Sequence, residues 1–306
     1  MIKKSSDSVK KCPFKLEQTG FFDLRSNSLP IPKTTNSDLN NHFKSIQWSP
    51  EGLQLLSNSG DNAVRIFNYN EESDLDKTYN SVALDNAYTA EGSIYSTEWY
   101  PYKSIIAKYK THDDKDELLS SISAIFSSDG YFERISTFDV QHPGYPSHSF
   151  KTSQTKKSQD GLKGIVSCLA VPPYQSPNTD KIISAATFSG NLSIWDHSSR
   201  TLVSSWKSNS TPMKSNGITS LQFSPDGTYL FAGARKTNKI HCWDIRNTTS
   251  PVSVIHRISN TLQRMGFTID GAQNYLVSGN TDGSIWFNCL SPEALCFETF
   301  KFSAHK

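Results

Sequence analysis

The sequence has no run of apolar residues long enough to cross a bilayer as a helix, so no transmembrane span is expected. Its first residues, Met1-Ile2-Lys3-Lys4-Ser5-Ser6-Asp7-Ser8-Val9-Lys10-Lys11, lack the apolar stretch of a secretory signal, which points to the cytosol or nucleus. Without such a signal, the N-x-[ST] triplets at Asn191, Asn209 and Asn247 read as chance matches. Cysteine is sparse. Cys12, Cys168, Cys242, Cys289 and Cys296 are widely spaced and include no C-x-x-C pair, so neither a disulfide framework nor a zinc site is supported. Cys168 and Cys242 lie in apolar runs and read as buried thiols. An excess of one charge is also missing. The 31 basic and 29 acidic residues leave a formal charge of +2, too balanced to capture nucleic acid over the whole surface. A local basic patch stays open.

Catalytic signatures are absent as well. There is no G-x-x-x-x-G-K-[ST] phosphate loop, no H-E-x-x-H pair and no G-x-S-x-G elbow. The eight histidines are scattered, and His241 sits in an alternating strand where a structural role is expected. Asp129, Asp226 and Asp270 occupy turns, where a carboxylate bonds local backbone. The expectation is a non-enzyme with no cofactor and no metal site. A hydrolase would need a cluster of perturbed acids or a metal site, and the sequence offers neither.

What is present is a repeat. An apolar strand leads into a Ser-Pro-acid-Gly turn, a second strand, a tight turn and a third strand ending in an aromatic. The clearest copy runs Ile218-Thr219-Ser220-Leu221-Gln222-Phe223-Ser224-Pro225-Asp226-Gly227, then Tyr229 to Gly233, and closes Lys239-Ile240-His241-Cys242-Trp243-Asp244. Others open at Phe43, Ile165 and Arg264, and the last of these closes Gly283-Ser284-Ile285-Trp286-Phe287. Two degenerate copies fill the gap, one at Gly92 to Tyr100 and one from Ile122 to Asp139. Equivalent aromatic or aliphatic positions are Trp48, Trp99, Phe126, Leu169, Phe223 and Phe267, spaced by 51, 27, 43, 54 and 44 residues. All but the 27 are near or above the repeat of about 40–45 residues expected for WD units. Trp195, Asp196, Trp243 and Asp244 supply the WD dipeptide as structural positions.

The physics suits such a unit. Proline fixes φ in Ser-Pro-Asp-Gly and glycine accepts positive φ. Asp61-Asn62, Asn191 and Asp282-Gly283 mark the second turn. One short sheet cannot bury both faces alone, but sheets stacked around an axis do. The expected fold is therefore all-β: a WD-repeat β-propeller with six recognisable blades, some degenerate, and seven in a complete ring. A generic β-sandwich is the alternative. Residues 1–40 are expected to form a mobile arm and residues 41–306 the propeller, incomplete at its C-terminus. Either a longer natural chain or the residues near Phe21-Phe22 would complete the ring.

One copy departs from the generic pattern. Gly233-Ala234-Arg235-Lys236-Thr237-Asn238-Lys239-Ile240-His241-Cys242-Trp243-Asp244-Ile245-Arg246 resembles a blade of the telomerase Cajal body protein family, where a Gly-Ala-Arg-Lys turn precedes a Cys-Trp-Asp-Leu/Ile-Arg end. Glu91 to Tyr95 with Trp99-Tyr100, Asn58 to Asn62 with Arg65 to Asn68, Gln263-Arg264, and Leu276 to Gly279 are similar to other blades of that family, as are Gly164 to Cys168 and Asp116-Glu117-Leu118. The resemblance covers roughly residues 40–306. It implies a nuclear protein. Animal members bind small Cajal-body RNAs and telomerase RNA, and the fungal branch is associated with small nuclear ribonucleoproteins and pre-mRNA splicing. The short N-terminal arm fits the fungal branch.

Three cations stand out as RNA- or partner-binding candidates: Arg235, Lys236 and Arg264. The first two occupy a turn where most copies carry Asp-Gly or Asp-Asn. Arginine pairs a phosphate bidentately, whereas lysine acts as a point charge. The opposing reading is a salt bridge from Arg235 to an aspartate of a neighbouring blade. The expected partners are small nuclear ribonucleoprotein proteins, small nuclear RNA or both, with no membrane, for a monomer within a larger complex. The alternative is a protein-only WD-repeat scaffold in a ubiquitin or signalling complex.

Overall fold

A computed structural model describes residues 42–49, 54–69, 82–89, 94–99, 125–129, 134–138, 148–153, 161–173, 181–207, 217–270, 275–290 and 299–303. The arm at 1–40, its lysines, Cys12 and Cys296 lie outside the described residues. Every regular element described is a strand.

The strands form five four-stranded antiparallel sheets, each built in simple up-and-down order. The first blade holds β1 (Phe43–Trp48), β2 (Gln54–Ser59), β3 (Ala63–Tyr69) and β4 (Val82–Thr89). The second holds β5 (Ile94–Trp99), β6 (Ile125–Asp129), β7 (Arg134–Phe138) and β8 (His148–Lys151). The third holds β9 (Val166–Ala170), β10 (Ile182–Thr187), β11 (Asn191–Asp196) and β12 (Thr201–Lys207). The fourth holds β13 (Ile218–Phe223), β14 (Tyr229–Ala234), β15 (Lys239–Asp244) and β16 (Ser253–His256). The fifth holds β17 (Phe267–Ile269), β18 (Tyr275–Gly279), β19 (Ser284–Cys289) and β20 (Thr299–Ser303). The first strands of successive blades lie against one another. This is the β-propeller expected from the repeats.

One expectation needs correcting. The degenerate copies at 92–100 and 122–139 are not two blades. Trp99 pairs with Ile125 and Ile94 with Asp129, so β5 and β6 are neighbours in one sheet. The described residues therefore make five blades rather than six. The 27-residue spacing was too short because it ran from the first strand of a blade to its own second strand.

Stacking explains why the middle strands are buried on both faces. Side chains along a strand alternate, so each sheet offers one set to each neighbour. On β10, Ile183 and Ala185 pack with Ile135 of the second blade. Their neighbour Ala186 packs with Leu221, Leu230 and Ala232 of the fourth blade. On β15, Trp243 turns toward the third blade, whereas Ile240 and Cys242 join Ile269 and Leu276 of the fifth. Ser224-Pro225-Asp226-Gly227 makes the expected turn. Gly227 takes φ 72°, and its N–H reaches Ser224 O at 2.8 Å. Asp226 Oδ1 accepts from the Ser224 hydroxyl and from Thr228 N–H at 3.1 Å.

Candidate functional site

The candidate residues sit at the end of the blades where first strands begin and second strands turn into third strands. Arg235 and Lys236 form the turn between β14 and β15. Arg235 N–H donates to Gly217 O at 3.0 Å and Lys236 N–H to Thr261 O at 2.9 Å. These bonds clamp the turn between the start of its own blade and the segment 257–266 that leads to the fifth blade. That segment is fixed from both sides. Ser259 N–H donates to Asn238 Oδ1 at 2.9 Å, and Ile258 N–H donates to Asn280 Oδ1 at 2.7 Å.

Arg257 anchors the same segment from within. It is 2% exposed and donates through Nη1 to Met265 O at 3.0 Å. A Cβ on Gly233 would come within 2.9 Å of its Nη2, so a side chain there would oblige the guanidinium to shift. Burial pushes the Arg257 pKa down to about 10. It has no carboxylate partner among the described residues.

Arg264 leaves this segment and reaches across the ring. Nη1 donates to Tyr95 O of the second blade at 2.6 Å, and Nη2 donates to Ser167 O of the third at 3.0 Å. The three blades meet on one guanidinium. It also lies 5.8 Å from the Tyr95 ring centroid and 5.5 Å from that of Phe188. Arg235 stacks closer on Phe188, at 4.6 Å. The two rings meet edge to face with centroids 5.3 Å apart. Phe188 belongs to the turn between β10 and β11, the counterpart of the Arg235-Lys236 turn. Gly217 makes room for it. A Cβ at Gly217 would fall 2.3 Å from Phe188 O, and its φ of +94° already favours glycine.

Lys44 at the start of β1 completes the cluster, with Nζ donating to Ile94 O at 3.4 Å. Burial lowers its pKa, and Arg264 lowers it further, against a weaker pull from Asp61. Burial also lowers Arg264, and Arg235 adds to that while Cys168 and Tyr95 oppose it. Asp61 is engaged elsewhere. Burial alone would raise its pKa, but the hydrogen bond and charge of Arg65 bring it below the usual range, with Nη2 to Oδ2 at 2.5 Å. Arg264 thus lies within electrostatic reach of both Arg235 and Lys44. An anion placed among them would be attracted by all three and would satisfy donors now spent on backbone carbonyls.

The same end carries Lys163 and Lys207, which border a groove of about 370 Å³ with Gly161, Asn191, Ser205 and Trp206. At the opposite end the turns carry Asp196, Asp226, Asp244 and Asp270, each accepting from turn backbone. Both ends mix the two signs: Asp61 and Asp282 cap turns at the end that carries the cluster, and Arg246 pairs with Asp244 at the other.

The structure brings Arg235 and Arg264 together over Phe188 and leaves the exposed Lys236 beside them. Trp195 and Trp243 are buried, at 5% and 3% exposed, while Asp196 and Asp244 cap turns. His241 is buried and stacked on Trp243 at 5.4 Å, yet both ring nitrogens lack a hydrogen-bond partner. Burial lowers its pKa, so the ring stays neutral. Sequence reasoning missed Lys44, Tyr95, Phe188, Gly217 and Arg257. Phe188 had a signal: an aromatic in a turn where Asp-Gly is usual. No group of three or more His, Cys, Asp and Glu residues placed to hold a metal occurs among the described residues.

The family described as "WD domain, G-beta repeat" matches residues 33–68 and 201–244. The second match starts on β12 and runs through β15, so the sequence repeat takes the outer strand of one blade and three strands of the next. The chain is 28% identical over 291 residues to Telomerase Cajal body protein 1 of Bos taurus, covering 80% of this chain and 50% of that protein. It is 28% identical over 296 residues to Guanine nucleotide-binding protein negative regulator 1 of Schizosaccharomyces pombe, covering 81% and 71%. It is 30% identical over 167 residues to Protein SWT21 of Zygosaccharomyces rouxii, covering 54% and 37%. The chain spans about half the length of the Cajal body relatives it matches.

Proposed function

From the premise that this chain is a WD-repeat protein with relatives named Telomerase Cajal body protein 1, we propose that it is a non-catalytic nuclear scaffold associated with small nuclear ribonucleoproteins and acting in pre-mRNA splicing. The reading takes the nucleus from the body those relatives are named for. It takes splicing from the resemblance to the fungal branch. The observation that carries it is the convergence of Arg235 and Arg264 on Phe188, with Lys44 near Arg264, at the end where first strands begin. Closely set cations next to aromatic faces suit a phosphodiester chain, because the cations hold phosphates and rings tolerate any base. Arg235 and Lys236 are the residues offered to RNA. Arg264 is partly committed to holding the blades together and contributes charge.

The test is immunoprecipitation of the tagged full chain from nuclei, with RNA sequencing and mass spectrometry, before and after ribonuclease. The expected result is enrichment of small nuclear RNAs and spliceosomal proteins, reduced in the R235E/K236E double variant. A partner list without small nuclear RNA, unchanged by ribonuclease, would replace this reading with the protein-only scaffold.

A further inference from the structure

The interface between the first two blades holds a carboxyl that the cation cluster does not use. Glu98 on β5 faces Gln47 on β1, and Gln47 Nε2 donates to Glu98 Oε1 at 3.1 Å. Trp99 beside it donates to Gln47 O at 3.5 Å. The remaining amide atom, Gln47 Oε1, is shut off from solvent and accepts no hydrogen bond. An ionised carboxylate only accepts, so it cannot serve that oxygen. A carboxylic acid carries one O–H donor and completes a reciprocal pair with a primary amide. A shielded, unserved acceptor next to a carboxyl is the geometric mark of the acid form.

We propose that Glu98 is a proton-operated latch between the first and second blades: as an acid it closes a two-bond pair with the Gln47 amide, and as a carboxylate it opens that pair and disturbs the cation cluster above. Electrostatics point the same way. Burial pushes Glu98 up to about 8, opposed by the single bond from Gln47. The elements packed on β5 bring little charge to it. β2 carries no titratable group, and Asp129 of β6 pairs with Ile94 at the far end of the strand. On β9 the Cys168 thiol feels both Glu98 and Arg264, and burial pushes it up to about 12, so it stays neutral. On β1 the nearest cation is Lys44, three positions from Gln47.

The link to the cluster is through the strands. Tyr95, whose carbonyl holds Arg264, lies three positions before Glu98 on β5. Lys44 lies on the strand that carries Gln47. Opening the latch therefore loosens two elements of the cluster and adds a negative charge beneath it. This second consequence rests on the anion-site reading given above.

The sign of the pH effect is fixed by proton uptake. Unfolded Glu98 ionises near its ordinary 4.5, so between there and about 8 only the folded chain keeps the proton. Across that window this group's contribution to stability falls as pH rises, and the fall ends above it. Thermal melts of the wild-type chain and Glu98→Gln, from about pH 5 to about pH 9, test the latch. The expected result is that Glu98→Gln melts progressively above wild type as pH rises. Parallel melting profiles would overturn the proposal. So would a carbon-13 titration of the wild-type glutamate carboxyls in which none titrates above the ordinary range, a readout that needs no variant. Binding of a fluorescent oligouridylate forms the second arm. Tighter wild-type binding at about pH 6.5 than at about pH 9, with no such loss in Glu98→Gln, is expected. No binding by wild type at the lower pH would sink the anion-site reading while the melts still decide the latch.

Discussion

Lys236 takes φ 49°, a left-handed conformation that costs a side-chain-bearing residue roughly 1–2 kcal/mol. Its N–H bond to Thr261 O holds it there. Glycine removes that strain at an entropic cost of roughly 0.5–1 kcal/mol. Lys236→Gly is therefore expected to leave stability unchanged or raise it by up to about 1 kcal/mol in urea unfolding, while weakening RNA retention on a filter assay. A variant that loses stability would mean that the lysine side chain contributes packing the exposed position does not suggest. At this scale the sequence is legible where a residue breaks its own repeat. Arg235 and Lys236 replace the usual turn pair, so they stand out. Tyr95 and Lys44 replace nothing unusual, and their role comes from being brought beside Arg264 from chain segments far away. Arg257 is illegible for another reason: nothing in its local pattern marks it for burial beside Gly233.

Among the elements, the first blade carries an internal ion pair that its sequence displayed only as a turn. Arg65 is 1% exposed, and its guanidinium meets Asp61 across the β2–β3 turn, with Ser59 accepting a further bond at 2.8 Å. Asp61→Ala strands this cation, and removing one partner of a buried pair costs about 3–5 kcal/mol. Chemical unfolding should show a loss of that order; a loss below about 1 kcal/mol would mean that water reaches Arg65. Because the folded Asp61 pKa lies below the ordinary 3.8, its contribution is present above that value and disappears as pH falls through the folded one. The difference between wild type and Asp61→Asn should accordingly shrink in acid. Strand positions were readable from alternation and turn chemistry, and Ile218–Phe223 and Lys239–Asp244 fall on the expected residues. Blade membership was not. Ser127-Ser128-Asp129-Gly130 mimics the turn that follows a first strand, so a second strand passed for the start of a new copy. Only pairing of β5 with β6 separates these cases, and pairing partners are not written in local pattern.

For the whole molecule, net charge is a poor guide to where cations converge, because each end of the blades carries both signs. Formal balance at +2 argues against a uniformly basic surface. What it does not convey is placement: Lys163, Lys207, Arg235, Lys236, Arg264 and Lys44 share the end where first strands begin, with Asp61 and Asp282 beside them, while the other end carries Asp196, Asp226 and Asp244 together with Lys181, Arg200 and Arg246. On the proposed reading, the cluster of Arg235, Lys236 and Arg264 is where a polyanion is held. Affinity for single-stranded RNA should then fall steeply with salt, since each neutralised phosphate releases counterions and contributes about 0.7 to the slope of log K against log salt. Arg235→Ala with Lys236→Ala should lower that slope by about 1.4, whereas neutralising Lys181 and Arg200 at the opposite end should leave it unchanged. Equal losses from both pairs would mean that RNA follows no preferred end, and the convergence on Phe188 would then be a device for joining blades rather than for holding a ligand.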